Sequence, residues 1–473
     1  MLADGASAPR RKQVADKEIS PPDLARVFAY VDAHQQEFID RLLAYVAQPS
    51  ISAHGVGIRE TADFLLGYLQ ELGMESQLLE GPGWPYVYGR HGGSPHTPTV
   101  LLYGHYDVQP PDPLDAWNSP PFEPEIRDGR IWGRGVGDNK GQHLAQLLAI
   151  ESWLAVTGGL PCNVIVLLEG EEEVGSPHIS DCVRDHRALL AGADLVITAD
   201  GPVHESGRPC IKFGPRGIAS FELRAVHAQR DFHSGNWGGV APNPIWTLVH
   251  LLATMKDRRG TITIDGFYDN VAPLNELERE ALDALPVDVA AVMEGAGLTR
   301  LDEPQERPFF DRLAAWPTFT INGFHGGYGG PGMKTVLPNE ATVKCDMRLV
   351  ENQRVDEILD KVEAHVRRHA PEVEMIRQGG MEPSRTPLDS PYTRPLQRAF
   401  RAAQGIDPLL IPAMGGSLPD YAWTKILGVH SFTTPYANHD ESNHAPNENL
   451  EVRRFIDGIR TGAAVLAYLG EES

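Results

Sequence analysis

The chain has 473 residues, which at roughly 150 residues per domain predicts two or three domains. Its 42 basic and 64 acidic side chains give a formal net charge of −22, and such a surface repels the phosphates of a nucleic acid. Hydrophobic residues make up 41% of the chain, which is enough to build a large core. We therefore expect a globular protein with no nucleic-acid partner.

The chain contains four cysteines and no Cys-x-x-Cys pair, which argues against a cysteine zinc site and against a disulfide scaffold. The longest apolar run, around residues 164–168, is far shorter than the ~18 residues of a membrane span. Residues 1–17 are polar and lack the apolar centre of a secretory signal. These features predict a cytoplasmic protein with no membrane partner, in which residues 1–20 form a loose tail.

Helices and short apolar strands alternate in the first part of the chain. Apolar residues recur at helical spacing in residues 23–48, 61–72 and 141–156. Short apolar strands, each followed by polar residues, are predicted at 99–103, 163–168 and 194–198. Strands separated by helices indicate an α/β sheet that is partly parallel, and active sites of such sheets lie at the carboxyl ends of the strands.

The middle of the chain has a different pattern and predicts a smaller α+β unit inserted into the first domain. Its predicted strands are residues 218–228 and 341–349, and its predicted helices are residues 243–256 and 355–369. Helices predicted at 396–403 and 454–469 return to the first sheet. The fold class expected is therefore α/β, with a mixed, largely parallel sheet flanked by helices. We place the first domain at residues 21–210 and 379–473 and the inserted domain at residues 211–378.

Candidate metal ligands follow the first predicted strand. His105 and Asp107 are two residues apart, so in extended backbone their side chains point the same way. A metal-binding histidine often has its second ring nitrogen held by a carboxylate, and Asp107 could hold His105 in this way. A strand-end histidine followed by an aspartate in a turn has the same pattern, so both interpretations stay open.

A glycine-rich segment at residues 133–141 leads into the predicted helix 141–156. A dinucleotide-binding fingerprint would need glycine where this chain has Asp138, whose carboxylate would repel a pyrophosphate. The glycines therefore either present Asp138 to a cation or form an ordinary helix start. The segment at residues 326–335 is not a phosphate-binding loop, because Met333 interrupts the required Gly-Lys pair.

Further carboxylates follow the next two strands. Glu172 and Glu173 lie in an acidic run after the second strand, where one could bind a metal while the other moves a proton, and Asp200 follows the third strand. Carboxylates gathered at one sheet edge are costly unless cations neutralise them. His105, Asp138, Asp200, one of these two glutamates and His444 on a late polar loop make two histidines and three carboxylates, which suit a pair of divalent ions.

Seven segments, in order, resemble the M20 metallopeptidase family and, within it, the carnosinase-like cytosolic dipeptidases. They are residues 104–110, 135–141, 169–176, 198–201, 230–239, 334–338 and 442–448. The resemblance covers nearly the whole chain after about Asp23. It implies a dinuclear metal hydrolase that cleaves dipeptides or short peptides through a metal-bridged water. It also implies that the first domain is catalytic and that the inserted domain is a lid that pairs two subunits into a homodimer.

The resemblance further implies a role for each candidate residue. The implied metal ligands are His105 and Asp200 for one ion, Glu173 and His444 for the other, and Asp138 for both. Asp107 would orient His105, and Glu172 would be the general base. The ions are expected to be zinc, with manganese or cobalt as alternatives. A cis peptide is expected between Asp138 and Asn139.

Other positions of the resemblance concern the substrate. His233 of the inserted domain is expected to reach the active site of the partner subunit and stabilise an oxyanion there. Arg348 is expected to bind the terminal carboxylate of the substrate, and Gly416 and Ser417 belong to a substrate-binding turn. Asn139 stands where many carnosinase-like members have an acidic residue. If a carboxylate there holds a free substrate amine, this chain lacks that contact.

Two other functions were compared with the dipeptidase hypothesis. An N-acyl amino acid hydrolase, such as a deacetylase, an aminoacylase or a carbamoyl hydrolase, would use the same metals and Arg348. A non-catalytic relative that only binds peptides would be expected to have lost a ligand or the base, and this chain retains all of them.

Overall fold

The computed structural model describes residues 23–92, 96–302 and 307–471, so the predicted tail at residues 1–20 lies outside the described residues. The helices α1 to α13 are Leu24–Ala33, Gln35–Val46, Ile58–Glu71, Gly141–Thr157, Ile179–Asp185, Arg187–Leu190, Ser234–Trp237, Pro244–Met255, Glu276–Asp283, Val289–Gly295, Val355–His369, Thr393–Gln404 and Val452–Gly470. The strands β1 to β17 are Glu75–Leu79, Tyr86–His91, Thr99–His105, Glu125–Arg127, Arg130–Trp132, Asn163–Glu169, Leu195–Thr198, Cys210–Lys212, Gly217–Val226, Phe232–His233, Thr318–Gly326, Val336–Leu337, Glu340–Leu349, Val373–Met381, Leu409–Ile411, His430–Thr433 and Asn449–Glu451.

The largest sheet has eight strands in the order β1-β2-β6-β3-β7-β16-β8-β15. Its centre is parallel, because β3 pairs in parallel with both β6 and β7, and β16 pairs in parallel with β7. The pairs β1–β2 and β2–β6 are antiparallel. Strand β16, from the last part of the chain, lies between β7 and β8. This mixed sheet confirms the predicted α/β class.

Helices cover both faces of this sheet. On one face α4 is buried between the sheet and α13, and the indole nitrogen of Trp153 donates to the Ala463 carbonyl at 2.9 Å. Helix α4 ends at Gly158, whose positive φ of 75° closes the last turn. On the other face the rings of Tyr103 and Trp423 pack with centroids 5.0 Å apart. The parallel strands are therefore buried on both sides, as their apolar sequences require.

A second, antiparallel sheet has four strands in the order β11-β13-β9-β14. Residues of β9 alternate between buried and half-buried, and the buried ones pack with α8 and α11 in a separate core. The chain passes from the first sheet to the second between Lys212 and Gly217, and it leaves the second sheet after Met381. The inserted unit therefore has its own core.

The structure differs from the predicted elements in some details. The helix predicted at residues 23–48 is two helices that meet at His34, whose backbone is not helical and whose Nδ1 bonds the Tyr30 carbonyl at 2.8 Å. Strands β1 and β2 were not predicted; β1 is mostly exposed and has only a weak apolar pattern. Within the described ranges, no helix is long and apolar enough to cross a membrane.

Candidate metal centre and active site

The carboxyl ends of three parallel strands bring the predicted ligands to one edge of the large sheet. His105, the last residue of β3, lies opposite Glu169, the last residue of β6. Tyr103 lies opposite Thr198, the last residue of β7. The turn that follows β6 and the loop that follows β7 therefore begin beside His105, and these segments carry the predicted carboxylates.

Asp138 occupies the middle of this edge. Its peptide bond to Asn139 is cis, as predicted. One carboxylate oxygen lies 3.1 Å from His105 Nε2, and the other lies 3.0 Å from His444 Nε2. His444 Nε2 also lies 3.1 Å from a Glu173 oxygen. Two histidines from distant segments thus approach opposite oxygens of one carboxylate.

Asp200 and Glu172 complete the group on the side of His105. Their carboxylate oxygens lie 3.8 and 4.0 Å, respectively, from His105 Nε2. The Glu172 carboxylate has no hydrogen-bond partner among the described residues, although its backbone N–H is bonded. We call the five predicted ligands the His–carboxylate cluster; its members are His105, Asp138, Glu173, Asp200 and His444.

The electrostatics of the cluster show crowding of like charges. Burial and the nearby Asp138 charge raise the pKa of Glu173 to about 7 and that of Asp200 to about 6. Burial also opposes ionisation of Asp138, but hydrogen bonds with both histidines outweigh it and lower the pKa of Asp138. Hydrogen bonds to Asp138 and Glu173 raise the pKa of His444 to about 11. The cluster therefore holds more negative charge than its protein surroundings neutralise.

The donor set fits divalent metal ions. His105, Asp138 and Glu173 each offer a ligand atom, and these atoms lie within 4.8 Å of one another. Imidazole nitrogens and carboxylate oxygens without cysteine are ligands for Zn²⁺, Mn²⁺ or Co²⁺. Cations at this position would also neutralise the carboxylates whose pKa values are raised.

Asp107 contacts both His105 and the turn that carries Glu172 and Glu173. Its carboxylate lies 3.4 Å from His105 Nδ1, so Nε2 is the ring nitrogen that faces Asp138. The same carboxylate accepts the backbone N–H groups of Glu172 and Glu173 at 3.2 and 3.1 Å. Asp107 therefore positions both the first ligand and the turn that carries the proposed base, a second contact that its spacing from His105 did not reveal.

Gln109 holds Glu173 in place, and sequence reasoning gave it no role. Its side-chain amide donates to the Glu173 carboxylate and to the Glu173 carbonyl, both at 3.0 Å. Its backbone N–H donates to the other carboxylate oxygen at 3.2 Å. In the sequence, Gln109 was marked only by its position in the segment 104–110, two residues after Asp107.

Glu448 is a second supporting residue without a predicted role. Each of its oxygens accepts two hydrogen bonds, one from the N–H groups of Gly137 and Asp138 and the other from Gly135 N–H and Arg134 Nη1. These four distances are 2.7–3.0 Å, and the carboxylate is fully buried. Glu448 therefore ties the loop of Asp138 to the segment of His444. Glu448 is the last residue of the segment 442–448, but its hydrogen-bond partners are too distant in sequence to be inferred from that segment.

Asn139, which departs from the family pattern, has both its side-chain oxygen and its side-chain nitrogen bonded within the protein. It is fully buried, its Nδ2 donates to the Ala199 carbonyl, and its Oδ1 accepts from His105 N–H and lies 3.1 Å from His143 Nδ1. A Cβ on Gly104 would lie 2.6 Å from His143 and 2.9 Å from the Asn139 oxygen, so glycine is required there. The Asn139 side chain is therefore held by contacts within the protein.

The remaining predicted residues lie in or beside the inserted unit. Arg348 Nη1 donates to Ser417 Oγ at 2.8 Å, and the Gly416 carbonyl accepts the Arg216 N–H at 3.1 Å. His233 is exposed, and among the described residues its ring bonds only Gly235 and Thr335 of the inserted unit. Within one chain, His233 thus does not join the His–carboxylate cluster.

Comparison with known proteins adds to this geometry. The model of "Peptidase family M20/M25/M40" matches residues 101–471, which is most of the chain. The chain belongs to this peptidase family. It is therefore a hydrolytic enzyme, and the predicted family resemblance is confirmed. Metal dependence is a property of the M20 family, which agrees with the ligand group found at the sheet edge.

Several relatives of this M20 enzyme match along nearly their whole length. The human protein named "Beta-Ala-His dipeptidase" is 30% identical, with 94% of this chain and 93% of the relative covered. The Candida albicans "Cys-Gly metallodipeptidase DUG1" is 29% identical, with 95% and 98% covered. The solved structure of an M20 metallo-carboxypeptidase from Sulfolobus solfataricus has a TM-score of 0.87 and 32% identity, with 92% and 99% covered.

Proposed function

We propose that this chain hydrolyses the peptide bond of dipeptides and short peptides, with two divalent metal ions and Glu172 as the general base. One observation carries the proposal: Asp138 directs one oxygen at His105 and the other at His444. A carboxylate between two histidine-containing ligand groups suits a pair of ions that share it. The dipeptidase names of relatives matched along their whole length support the substrate class.

The proposed ligand sets follow from the contacts. We propose that His105 and Asp200 hold one ion, Glu173 and His444 hold the other, and Asp138 contributes to both. Zinc is the proposed metal, with manganese and cobalt as alternatives, because the ligands are nitrogen and oxygen atoms without cysteine.

The chemistry proposed for the chain's own residues is proton transfer and positioning. Divalent ions supply Lewis acidity, which polarises a carbonyl and acidifies a nearby water. The Glu172 carboxylate, which accepts no hydrogen bond from the described residues, takes a proton from the attacking water and delivers it to the leaving amine. Burial raises the pKa of Glu172, which favours its holding that proton between the two transfers. Asp107 keeps the turn of Glu172 beside His105.

Arg348, Ser417 and Gly416 are proposed to bind the carboxylate end of the substrate. Arg348 donates to Ser417 Oγ, so the guanidinium and the hydroxyl lie next to each other. A guanidinium fork binds a carboxylate with two parallel hydrogen bonds.

The proposal is tested with matched substrates on metal-stripped protein reloaded separately with Zn²⁺, Mn²⁺ and Co²⁺. We expect hydrolysis of Ala-Ala in at least one metal form and much slower hydrolysis of N-acetyl-Ala-Ala. Glu172→Gln should lose roughly 10²-fold or more in kcat with unchanged metal content, because only proton transfer is removed. Faster hydrolysis of the acetylated substrate would replace this proposal with N-acyl amino acid hydrolysis. Full activity of Glu172→Gln would overturn the assigned base.

We further propose that residues 211–378 form a lid domain that pairs two chains, with residues 21–210 and 379–473 as the catalytic domain. In this homodimer His233 of one chain would stabilise the oxyanion in the other chain's site. The edge strand β11 exposes Ile321 and Phe324, and the nearby helix α8 exposes Trp246 and Val249. An unpaired strand edge beside exposed apolar side chains is typical of a surface that pairs.

The mass of the assembly in solution tests the pairing. We expect the wild type to be a dimer and the double variant Trp246→Glu/Phe324→Glu to be a monomer with little activity. Leu114→Glu, which changes an equally exposed apolar residue of the catalytic domain, should remain an active dimer. A fully active monomer would refute the role of His233. We also propose a cytoplasmic location, because the four cysteines are buried and unpaired, as suits a reducing compartment.

A further inference from the structure

Arg216 lies where the chain crosses from the large sheet to the second sheet, and its side chain is almost fully buried. Its Nε and Nη2 both donate to the Gly415 carbonyl, at 3.0 and 2.9 Å, and its Nη1 donates to the Trp316 carbonyl at 3.1 Å. Its backbone N–H donates to the carbonyls of Met414 and Gly416. The residue thus holds the turn that leads into Ser417 by both its backbone and its side chain.

The charge of Arg216 has no anionic partner close by. Its guanidinium donates only to backbone carbonyls, and among the described residues no carboxylate lies within 4 Å of it. Burial and the neighbouring Arg348 lower the pKa of Arg216 to about 10. Arg348 itself lies 3.5 Å from Asp346, whose other oxygen accepts from Asn322. The two neighbouring guanidiniums therefore have one carboxylate beside them, and it contacts Arg348 alone, which favours binding of a further anion here.

A row of paired residues connects Arg348 to the turn that carries the proposed base, Glu172. Arg348 pairs with Ile218, and Ile218 pairs with Met381 on the other side, so the three residues lie in a row across β13, β9 and β14. Neighbouring strands lie about 4.8 Å apart, so the row spans about 10 Å. A Cβ on Gly175, in the turn that carries Glu172, would lie 3.8 Å from Met381. An extended dipeptide, about 7 Å long, is comparable in length to this row of three residues.

We propose that Arg216 is a positioning residue of the carboxylate-binding subsite, which holds the turn before Ser417 and thereby supports the preference of Arg348 for a free C-terminal carboxylate. The inference rests on the proposed function and deepens it. Arg216 fixes the Gly415 carbonyl and thereby sets Ser417 at hydrogen-bonding distance from Arg348. The charge of Arg216 disfavours a neutral C-terminal amide at this subsite, because an amide leaves that buried charge without an anion nearby.

Steady-state kinetics on the metal-loaded enzyme test this role with Ala-Ala and its C-terminal amide. We expect wild type to favour the acid by roughly 10²-fold or more in kcat/KM, as sites built around a charged partner do. In Arg216→Met the KM for Ala-Ala should rise about tenfold or more with kcat changed little, and the preference for the acid should shrink. Arg216→Lys, which keeps the charge without the forked donors, should lie between the two.

The control is Arg187→Met, which also removes an arginine that donates to a backbone carbonyl, that of Ile426, but at the protein surface. It should match the wild type with both substrates. Metal content and thermal unfolding of every variant are measured, and Arg216→Lys carries the test if Arg216→Met does not fold. Equal losses on acid and amide, or a loss in kcat alone, would overturn the inference. Failure of the wild type to hydrolyse Ala-Ala would instead overturn the proposed function.

Discussion

The most informative single substitution is Glu448→Gln, because the side chain keeps its shape but can no longer serve its partners. Each Glu448 oxygen accepts two donors: Gly137 and Asp138 N–H on one side, and Gly135 N–H and Arg134 on the other. A glutamine satisfies one of these pairs with its oxygen. Its NH₂ group then faces the two donors of the other pair, where no hydrogen bond forms.

The size of the effect follows from burial. Arg134 and Glu448 are both almost completely buried, with side chains 1% and 0% exposed. Removing one partner of such a pair leaves a buried charge and costs on the order of 3–5 kcal/mol. Asp138 is bonded to Glu448 through its backbone, so its carboxylate also loses its fixed position. Loss of such a supporting contact lowers metal affinity by roughly 10- to 100-fold.

Two measurements on the same protein check this expectation. Urea unfolding followed by circular dichroism gives the free energy of unfolding, and competition with a chromophoric chelator gives the affinity for Zn²⁺. The control is Glu451→Gln, the same substitution in a partly exposed pair with Arg130, which should change stability by about 1 kcal/mol or less. If Glu448→Gln unfolds at the urea concentration of the wild type and binds zinc equally well, the supporting role assigned to Glu448 is wrong.

Three further substitutions probe other buried contacts. Asp107→Asn cannot accept from both Glu172 and Glu173 N–H and still face His105, so we expect a roughly 10- to 100-fold loss of kcat and of zinc affinity; wild-type values for both would contradict this. Asn139→Asp places a carboxylate against the Ala199 carbonyl, so the free energy of unfolding should fall by about 1–3 kcal/mol. The ratio of turnover of the free substrate to that of the acetylated substrate should stay unchanged, and a raised ratio would show that residue 139 contacts the substrate. Burial raises the pKa of Asp420 from 3.8 to about 7. Between about pH 4 and 7 the folded state therefore keeps the Asp420 proton while the unfolded state has lost it. The free energy of unfolding falls as pH rises through this window. The difference corresponds to roughly 4 kcal/mol, and Asp420→Asn should unfold with less dependence on pH in that window, as thermal melts across it would show.

Strong periodic patterns explain which parts of the fold could be predicted. Helix α11 spans Val355–His369, as its apolar spacing predicts, and strand β13 at Glu340–Leu349 follows its alternation closely. Strands β1 and β2 were missed: β1 is a short edge strand with a weak apolar pattern, and β2 gains its stability from pairing with β1 and β6 on either side. The break at His34 depends on a side-chain bond to the backbone, which periodicity does not reveal.

The site was predictable where chemistry is carried by residue type. His105, Asp138 and Glu173 were recognisable as candidate ligands, and the structure brings them together. The roles of Glu448 and Arg216 were not, because each depends on backbone groups far away in sequence that any residue could supply. The contact of Asn139 with Ala199 was hidden for the same reason, because the carbonyl that it bonds lies 60 residues away in sequence.

The position of β16 has a consequence for how the enzyme is made. Residues 430–433 insert between β7 and β8, both of which leave the ribosome much earlier. Until then, the strand edge beside the loop of Asp200 stays open, and His444 and Glu448 have yet to be synthesised. A nascent chain that lacks β16 therefore carries most of the large sheet without the proposed ligand His444. With His444 in its proposed role, we expect a product truncated before β16 to expose an unpaired strand edge and to cleave no peptides.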